Sequence, residues 1–458
     1  MNTLIRSISG IRGIVGDTLV PETVLTYVSS FAKWSGGGPI VLGYDGRSHG
    51  RALMDVARAA LQFSGVDVLD LGMVPTPTVQ LHTEHSDARG GIVITASHNP
   101  AEWNGLKFLG SGGVFLNADE NAALFALADA GGISAAAWDA VGRATVVPDA
   151  IDAHISRVLD IPFLDIERIR ARGFRVAVDA VNASGSLAVP RLLAHLGCAV
   201  IPVACDSSGR FPHTPEPLPE NLVSLGEAVR RESADLGIAV DPDADRLVLF
   251  TEQGRPFGEE YSVTTAVDSV LSSVQGGAAS AVAVNLSTTR AVDDVAARYG
   301  ARVFRSPVGE INVVNTLRTQ SAVVGGEGSG GIILPSVHAG RDSLVGAALV
   351  LHALARHDGT ASSYRATLPE YVIRKFKYST AGLDTAAVLD TARQAYADER
   401  VNSDDGVRVD FTEGWVHLRS SNTEPIMRVI AEASNAEQAS AFASAVASRV
   451  FGPEVRPL

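Results

Sequence analysis

Cysteine is almost absent from this chain of 458 residues, which carries only Cys198 and Cys205. Two thiols without a CxxC spacing make no disulfide framework, so stability has to come from buried apolar surface, and a reducing compartment is the simpler expectation. Aromatic residues are also few, at 6%, yet 46% of the chain is hydrophobic and only 19% charged, the balance of an ordinary globular protein and not of a disordered one. No uninterrupted apolar run approaches the roughly 20 residues needed to span a bilayer. The opening MNTLIRSISGIRG lacks the apolar centre of an export signal. These absences predict a cytoplasmic protein with no membrane partner. Positive charge is in short supply too: 38 Lys and Arg against 51 Asp and Glu leave a net charge of −13. That balance argues against a nucleic-acid partner and leaves room for a small anion in a local basic pocket.

What is present is a repeated grammar. The apolar PIVLGYD (39–45), the helix-like GRALMDVARAALQFSG (50–65) and VDVLDLG (66–72) read as strand, helix, strand. FRVAVDA (174–180), SLAVPRLLAHLG (186–197) and CAVIPV (198–203) repeat the order, as do AVAVN (281–285), TRAVDDVAARYG (289–300) and ARVFRSP (301–307). Each helix runs into a glycine, the usual stop signal. Strands with no polar alternation are expected in largely parallel sheets covered by helices on both faces. The tail differs, with YVIRKFKYST (371–380), a helical stretch near 384–399, a hairpin around the TEG of GVRVDFTEGWVHLRSS (406–421) and a last helix from about 436. The reading is three α/β domains of similar topology at 1–148, 149–251 and 252–367, and a smaller α+β domain at 368–458.

Four stretches carry residues suited to chemistry. In GGIVITASHNPAEWNGLKF (90–108), Ser97 follows an apolar strand, and the carboxyl ends of strands in open α/β sheets are where ligands bind. Taken alone, Ser97 reads first as a serine that caps a turn. A Ser97–His98 hydrolase pair lacks the GxSxG elbow. In DPDADR, Asp241, Asp243 and Asp245 leave the strand LGIAV at alternate positions, a spacing that lets three carboxylates converge on one hard cation. An EF-hand reading, with Glu252 at the twelfth place, fails because Arg246 stands where that loop needs glycine and LVLFT (247–251) reads as a strand. A solvated acidic turn is the remaining alternative. VVGGEGSGGIILP (323–335) is a glycine-rich turn bearing Glu327 and Ser329, a pair suited to sugar hydroxyls, and it matches neither phosphate-loop nor dinucleotide patterns. RSSNTEPIMR sets Arg419 and Arg428 around Ser421, Asn422 and Thr423, a cradle for a phosphate dianion or a turn with surface arginines.

Together, TASHNP, DPDADR, GEGSGG and RSSNTEP, in that order and with SGIRG at the start, resemble the active-site loops of the α-D-phosphohexomutases over essentially the whole chain. The resemblance implies three similar mixed-sheet α/β domains and a C-terminal phosphate-binding domain around a central cleft. It implies a phosphorylated Ser97, Mg2+ held by Ser97, Asp241, Asp243 and Asp245, and sugar recognition by Glu327 and Ser329. Arg419, Ser421, Asn422 and Thr423, with Arg428, match the distal phosphate loop. Arg12, His98, Lys107 and Arg246 match positions near the transferring phosphate, with Lys107 as the proton-transfer residue. The implied partner is a hexose phosphate, with a sugar 1,6-bisphosphate as intermediate and activator, acted on by a monomer or homodimer. SGIRGIVG, GEGSGG and SPVGEINVVN resemble the archaeal and Bacteroidetes type of phosphoglucosamine mutase, which implies interconversion of glucosamine 6-phosphate and glucosamine 1-phosphate. Broad phosphomannomutase/phosphoglucomutase specificity, a magnesium-dependent sugar phosphatase and a non-catalytic sugar-phosphate-binding regulator are the alternatives. The sequence departs from the family pattern at Gly331, where many relatives have histidine, and at Ser9 and Gly10, where some have Tyr-Asp.

Overall fold

Apolar runs become central strands here because both of their faces are covered. Ile40–Tyr44 is buried almost throughout, flanked in parallel by Val68–Met73 on one side and Gly90–Ile94 on the other. The computed structural model describes residues 4–131, 135–274, 280–420, 426–452 and 455–458. They fall into two compact units, one of Met1–Gln275 with Val323–Arg365 and one of Gly276–Ala322 with Ala366–Leu458.

In the first unit a seven-stranded sheet runs in the order Ile5–Ser7, Gly10–Ile14, Trp103–Gly110, Gly90–Ile94, Ile40–Tyr44, Val68–Met73, Ala144–Val146. Its core gathers Phe31, Met54 and Leu61 from the helices Pro21–Trp34 and Gly50–Phe63 with Ile40, Leu42, Ile92 and Phe108 from the strands. The rings of Phe31 and Phe108 lie 5.1 Å apart. A second sheet of four strands has the order Leu247–Thr251, Leu236–Val240, Arg175–Asp179, Ala199–Ala204. It repeats the middle of the first: a central strand with a parallel neighbour on each side, then one antiparallel strand. The same pairings recur a third time, parallel between Ala281–Asn285 and Arg302–Ser306 in the second unit and antiparallel between Val324–Glu327 and Gly331–Ile333 in the first. The sheets are therefore mixed, as the family resemblance implies, and less parallel than apolar runs alone suggest. An apolar strand needs cover on both faces, and an antiparallel neighbour satisfies that as well as a parallel one.

The helices Gly50–Phe63, Gly185–His195 and Ala291–Arg298 are each followed two residues on by a glycine in the left-handed region, Gly65, Gly197 and Gly300. A side chain there would be strained, so glycine ends the helix and turns the chain into the next strand. In the second unit, Ala366–Leu458 forms an antiparallel sheet in the order Val372–Ser379, Ile426–Ala433, Gly414–Ser420, Val407–Phe411, Arg400–Asn402. Helices Thr385–Ala395 and Ala436–Phe451 close its core on Val388, Ala392, Ala443 and Val446. Among the described residues no helix is long and apolar enough to cross a membrane. Cys198 and Cys205 are both free and half-buried, and burial pushes their thiols up to about 12 and about 11, which keeps them protonated and unreactive.

Candidate active site

Three equivalent strands end on chemistry. Gly90–Ile94, Leu236–Val240 and Val324–Glu327 hold the same place in the repeated pattern, and their carboxyl ends deliver Ser97, Asp241 and Glu327. This is where open α/β sheets place ligands, because loops leaving that edge are free to converge.

Ser97 is 1% exposed and has a φ of 50°, in the left-handed region. For a residue with a Cβ that conformation costs on the order of 1–2 kcal/mol, so the surroundings have to enforce it. They do so through the backbone. The Ser97 N–H donates to Thr95 Oγ1 at 2.8 Å, and Thr95 Oγ1 donates to Asp45 Oδ2 at 2.7 Å. Arg47, also 1% exposed, donates to four carbonyls of the same loop: Ser97 at 2.6 Å, Asn99 at 2.7 Å, Pro100 at 2.7 Å and Trp103 at 2.9 Å. Its Nε meets Asp45 Oδ2 at 3.1 Å. Hydrogen bonds from a charged donor contribute roughly 1.5–3 kcal/mol each, enough collectively to hold the turn against its strain.

Held in this way, the Ser97 hydroxyl donates to Asp241 Oδ2 at 3.0 Å, with His98 Nδ1 at 3.3 Å. Burial and the neighbouring Arg246 and Arg12 charges push the His98 imidazole well below its usual range, so it is neutral and able to accept. Arg12 donates to Asn99 Oδ1 at 2.8 Å.

Asp241, Asp243 and Asp245 are all fully buried, with one carboxylate oxygen of each within 4.8 Å of the others. The loop that carries them is strained in its middle, where Ala244 has a φ of 51°. Asp241 Oδ1 accepts the N–H groups of Asp245 and Arg246, both at 3.2 Å. Lys107 donates to Asp243 Oδ2 at 2.6 Å and lies 3.3 Å from Asp245 Oδ2. Burial alone would neutralise this amine, but Asp243 and Asp245 outweigh it and hold Lys107 above its usual range. Asp243 and Asp245 are lowered despite their burial, by Lys107 and Arg341. Asp241 is raised well above the usual carboxylate range by burial and by the other two aspartates. Asp243 Oδ1 and Asp245 Oδ1 are buried with no hydrogen-bond partner. Buried carboxylate oxygens left bare are costly, and a divalent cation answers that deficit, so the three aspartates fit a metal ion.

Glu327 ends its strand buried, while Ser329 is half-buried in the turn that follows. Arg246 lies with its Nε 3.9 Å from Asp245 Oδ1. The EF-hand alternative is excluded by use as well as by sequence, since Leu247–Thr251 is a strand and Glu252 accepts the Ser362 N–H at 3.0 Å.

The first unit therefore gathers Arg12, Ser97, His98, Lys107, the three aspartates and Arg246 around one point, with Glu327 joined to them through Arg341. Arg419 and Arg428 belong to the second unit, where they stand opposite each other on antiparallel strands. Arg419 Nε donates to Asp405 Oδ2 at 2.8 Å. Ser421, Asn422 and Thr423 lie outside the described residues. A polar cavity of about 440 Å³ in that unit involves other side chains, chiefly Arg290, Arg305 and Arg408, which are matched by Asp293 and Asp410.

Sequence reasoning missed Asp45, Arg47, Thr76, Thr95 and Arg341. Thr76 binds Asp243 twice, through N–H to its carbonyl at 2.9 Å and through its hydroxyl to Oδ2 at 2.7 Å. The available signal was charge inside apolar context, since Asp45 and Arg47 directly follow a buried strand.

Family models for phosphoglucomutase/phosphomannomutase match the chain in succession: alpha/beta/alpha domain I at residues 4–132, domain II at 152–254, domain III at 259–371 and the C-terminal domain at 381–449. A probable phosphoglucosamine mutase of Methanopyrus kandleri is 35% identical over 436 residues, 94% of each chain. A phosphoglucomutase/phosphomannomutase of Thermococcus kodakarensis is 36% identical over 440 residues, again 94% of each. The crystal structure of a phosphoglucomutase/phosphomannomutase family protein from Burkholderia thailandensis superposes with a TM-score of 0.85 at 25% identity, covering 99% of this chain and 100% of that one.

Proposed function

This chain belongs to the phosphoglucomutase/phosphomannomutase family, and on that premise we propose that it is a phosphohexomutase that interconverts glucosamine 6-phosphate and glucosamine 1-phosphate. The observation that carries the reading is the Ser97 hydroxyl, locked in a left-handed turn and 3.0 Å from the buried aspartate cluster.

In the proposed cycle Ser97 starts phosphorylated. The bond between its Oγ and phosphorus breaks as a bond forms from phosphorus to a free hydroxyl of the sugar monophosphate, whose proton leaves to a nearby base. The resulting 1,6-bisphosphate reorients and returns its other phosphoryl group to Ser97. Asp241, Asp243 and Asp245, with Ser97, would hold Mg2+, which when bound supplies positive charge to the phosphoryl oxygens. Arg12 and Arg246 add fixed cations near the same oxygens. Lys107, held as an ammonium by its two aspartates, is suited to protonate a departing oxygen and accept that proton back in reverse. Glu327 and Ser329 would hold the sugar hydroxyls. Arg419, Arg428 and the 421–423 segment would hold the phosphate that is not reacting.

Burial of Ser97 supports transfer to a sugar over transfer to water, since a phosphoserine loses its group to whatever nucleophile reaches it. A phosphatase would release inorganic phosphate as its main product, and a non-catalytic regulator would leave the ligand intact. Similarity at 36% to a relative named phosphoglucomutase/phosphomannomutase favours a second reading, broad hexose specificity. A C2 hydroxyl-to-amine change is discriminated only where the protein contacts that position.

The test is kcat/KM for glucosamine, mannose and glucose phosphates, with Ser97→Ala beside the wild type and a sugar bisphosphate present. The glucosamine substrate should lead, and Ser97→Ala should stay folded, accept no phosphoryl group by mass spectrometry and lose nearly all turnover. Equal values for the three sugars would overturn the substrate choice, and wild-type rates in Ser97→Ala would overturn the phosphocarrier role.

A further inference from the structure

Gly331 ends the glycine-rich GEGSGG run, and the space for a side chain there is already taken. A Cβ on Gly331 would come within 2.2 Å of Arg341 Cδ and 3.0 Å of its Cγ. A contact of 2.2 Å does not occur, so Gly331 and Arg341 exclude any larger residue at 331 while Arg341 keeps its place.

Arg341 uses that space to span two functional loops. Its Nη1 donates to Glu327 Oε2 at 2.7 Å and its Nη2 to Asp245 Oδ2 at 2.6 Å, with the side chain 11% exposed. The backbone on its far side is anchored as firmly. Asp342 N–H donates to Ile332 O at 2.8 Å, one residue beyond Gly331. Asp342 also caps helix Ser343–Arg356 through the N–H groups of Leu344 and Val345, and its Oδ2 meets Nε2 of both His154, at 2.7 Å, and His338, at 3.1 Å. Ser343 Oγ donates to the carbonyl of Ala244, the strained residue between two of the aspartates, at 2.6 Å. The tripeptide Arg341-Asp342-Ser343 thus touches the sugar-side loop and the aspartate loop through side chain and backbone alike.

We infer that Arg341 is a positioning residue that fills the space left open at Gly331 and couples the sugar-binding carboxylate of Glu327 to the metal-binding carboxylate of Asp245. The roles of those two carboxylates rest on the mutase reading. A guanidinium presents two parallel donors on a permanently charged plane, so one side chain can fix two carboxylates at once. With Oδ2 of Asp245 occupied by Arg341 and Lys107, the bare Oδ1 is the oxygen left for a cation. Glu327 is held at a set orientation by the same guanidinium. Supports of this kind, one step removed from a metal, determine how well the ligands are aimed.

The experiment is a double-mutant cycle of Gly331→Ala and Arg341→Ala, with Arg341→Lys added. Arg341→Ala is expected to lower kcat/KM by about 10–100-fold, the range for lost support one step from a metal ligand, through both a higher KM and a lower kcat. Gly331→Ala should mimic it, because the added methyl displaces the guanidinium from both carboxylates. The double variant should then fall no further than Arg341→Ala alone. Arg341→Lys, charged but unable to bridge, should recover only part of the loss. Losses that multiply independently, or an Arg341→Ala enzyme within about twofold of wild type, would overturn the inference. Thermal melts of the four proteins of the cycle, without Arg341→Lys, read the packing without reference to turnover: Gly331→Ala should lower Tm in the wild-type background and not in Arg341→Ala. An equal drop in both would also overturn it. Wild-type enzyme that turns over no hexose phosphate would instead sink the mutase reading, and the melting cycle would still decide the exchange between Gly331 and Arg341.

Discussion

Replacing Arg47 by methionine keeps most of the side-chain stem and removes the guanidinium that ties the Ser97 loop together. Five contacts go with it: the carbonyls of Ser97, Asn99, Pro100 and Trp103, and the carboxylate of Asp45. Packing over the Phe211 ring, 4.9 Å from the guanidinium carbon, is lost as well. The separate hydrogen bonds cannot simply be added, because Pro100 is exposed and its neighbours can turn toward water. Asp45 cannot escape so easily. Burial already pushes its carboxyl above the usual range with Arg47 opposing, so losing Arg47 raises it further and leaves the buried carboxylate without its partner. Breaking a buried ion pair from one side costs about 3–5 kcal/mol. That exceeds the roughly 1–2 kcal/mol stored in a left-handed serine, so the loop is expected to relax and Ser97 to lose its aim. Urea unfolding followed by tryptophan fluorescence reports on this region through Trp34 and Trp103. With a slope of about 2–3 kcal/mol/M, the first transition should move down by about 1–2 M. Arg47→Lys should fall between, since one ammonium cannot reach four carbonyls. An Arg47→Met protein with an unmoved midpoint and unchanged kcat/KM would refute the claim that this arginine enforces the loop.

Other consequences follow from the same geometry. Wild-type protein should melt higher with Mg2+, by about 2.7 kcal/mol of added stability at one hundred times Kd, and Asp245→Asn should lose most of that shift; an identical shift in the variant would remove Asp245 from the cation site. Chelation should abolish turnover reversibly, with activity restored by Mg2+ and not by salt. His213 Nε2 lies 3.0 Å from Asp179 Oδ2, and although burial opposes its protonation, Asp179 outweighs burial and raises its pKa. The folded state therefore binds that proton more tightly than the unfolded chain, so the contribution is complete below about pH 6.5 and is lost as pH rises through the raised value. Thermal melts from pH 6 upward should show this decline in the wild type and a flatter profile in His213→Asn; parallel profiles would show that the pair contributes nothing.

The three sheets were legible because each repeats an apolar strand, an amphipathic helix and a stopping glycine, and the strand ends then marked Ser97, Asp241 and Glu327 as chemistry. What could not be read were the groups that act through backbone. Arg47 binds four carbonyl oxygens that any residue type would offer, at separations of 50 to 56 positions, so no motif records the pairing. Antiparallel edges such as Leu247–Thr251 were similarly hidden, because a buried strand looks the same whichever way its neighbour runs.

Arg341 differs from these, since its signal was present as an absence. The glycine at 331 leaves room in a packed wall, and protein interiors do not keep such gaps beside buried carboxylates. Something had to cross into that space, and it had to be cationic because Glu327 and Asp245 border it. Arg341, ten positions on from Gly331 and just before a helix-capping aspartate, has the reach and the anchored backbone. Space left open by a glycine beside buried carboxylates is therefore best read as room for a neighbour's side chain, and the charge of the surrounding wall states which kind of residue will fill it.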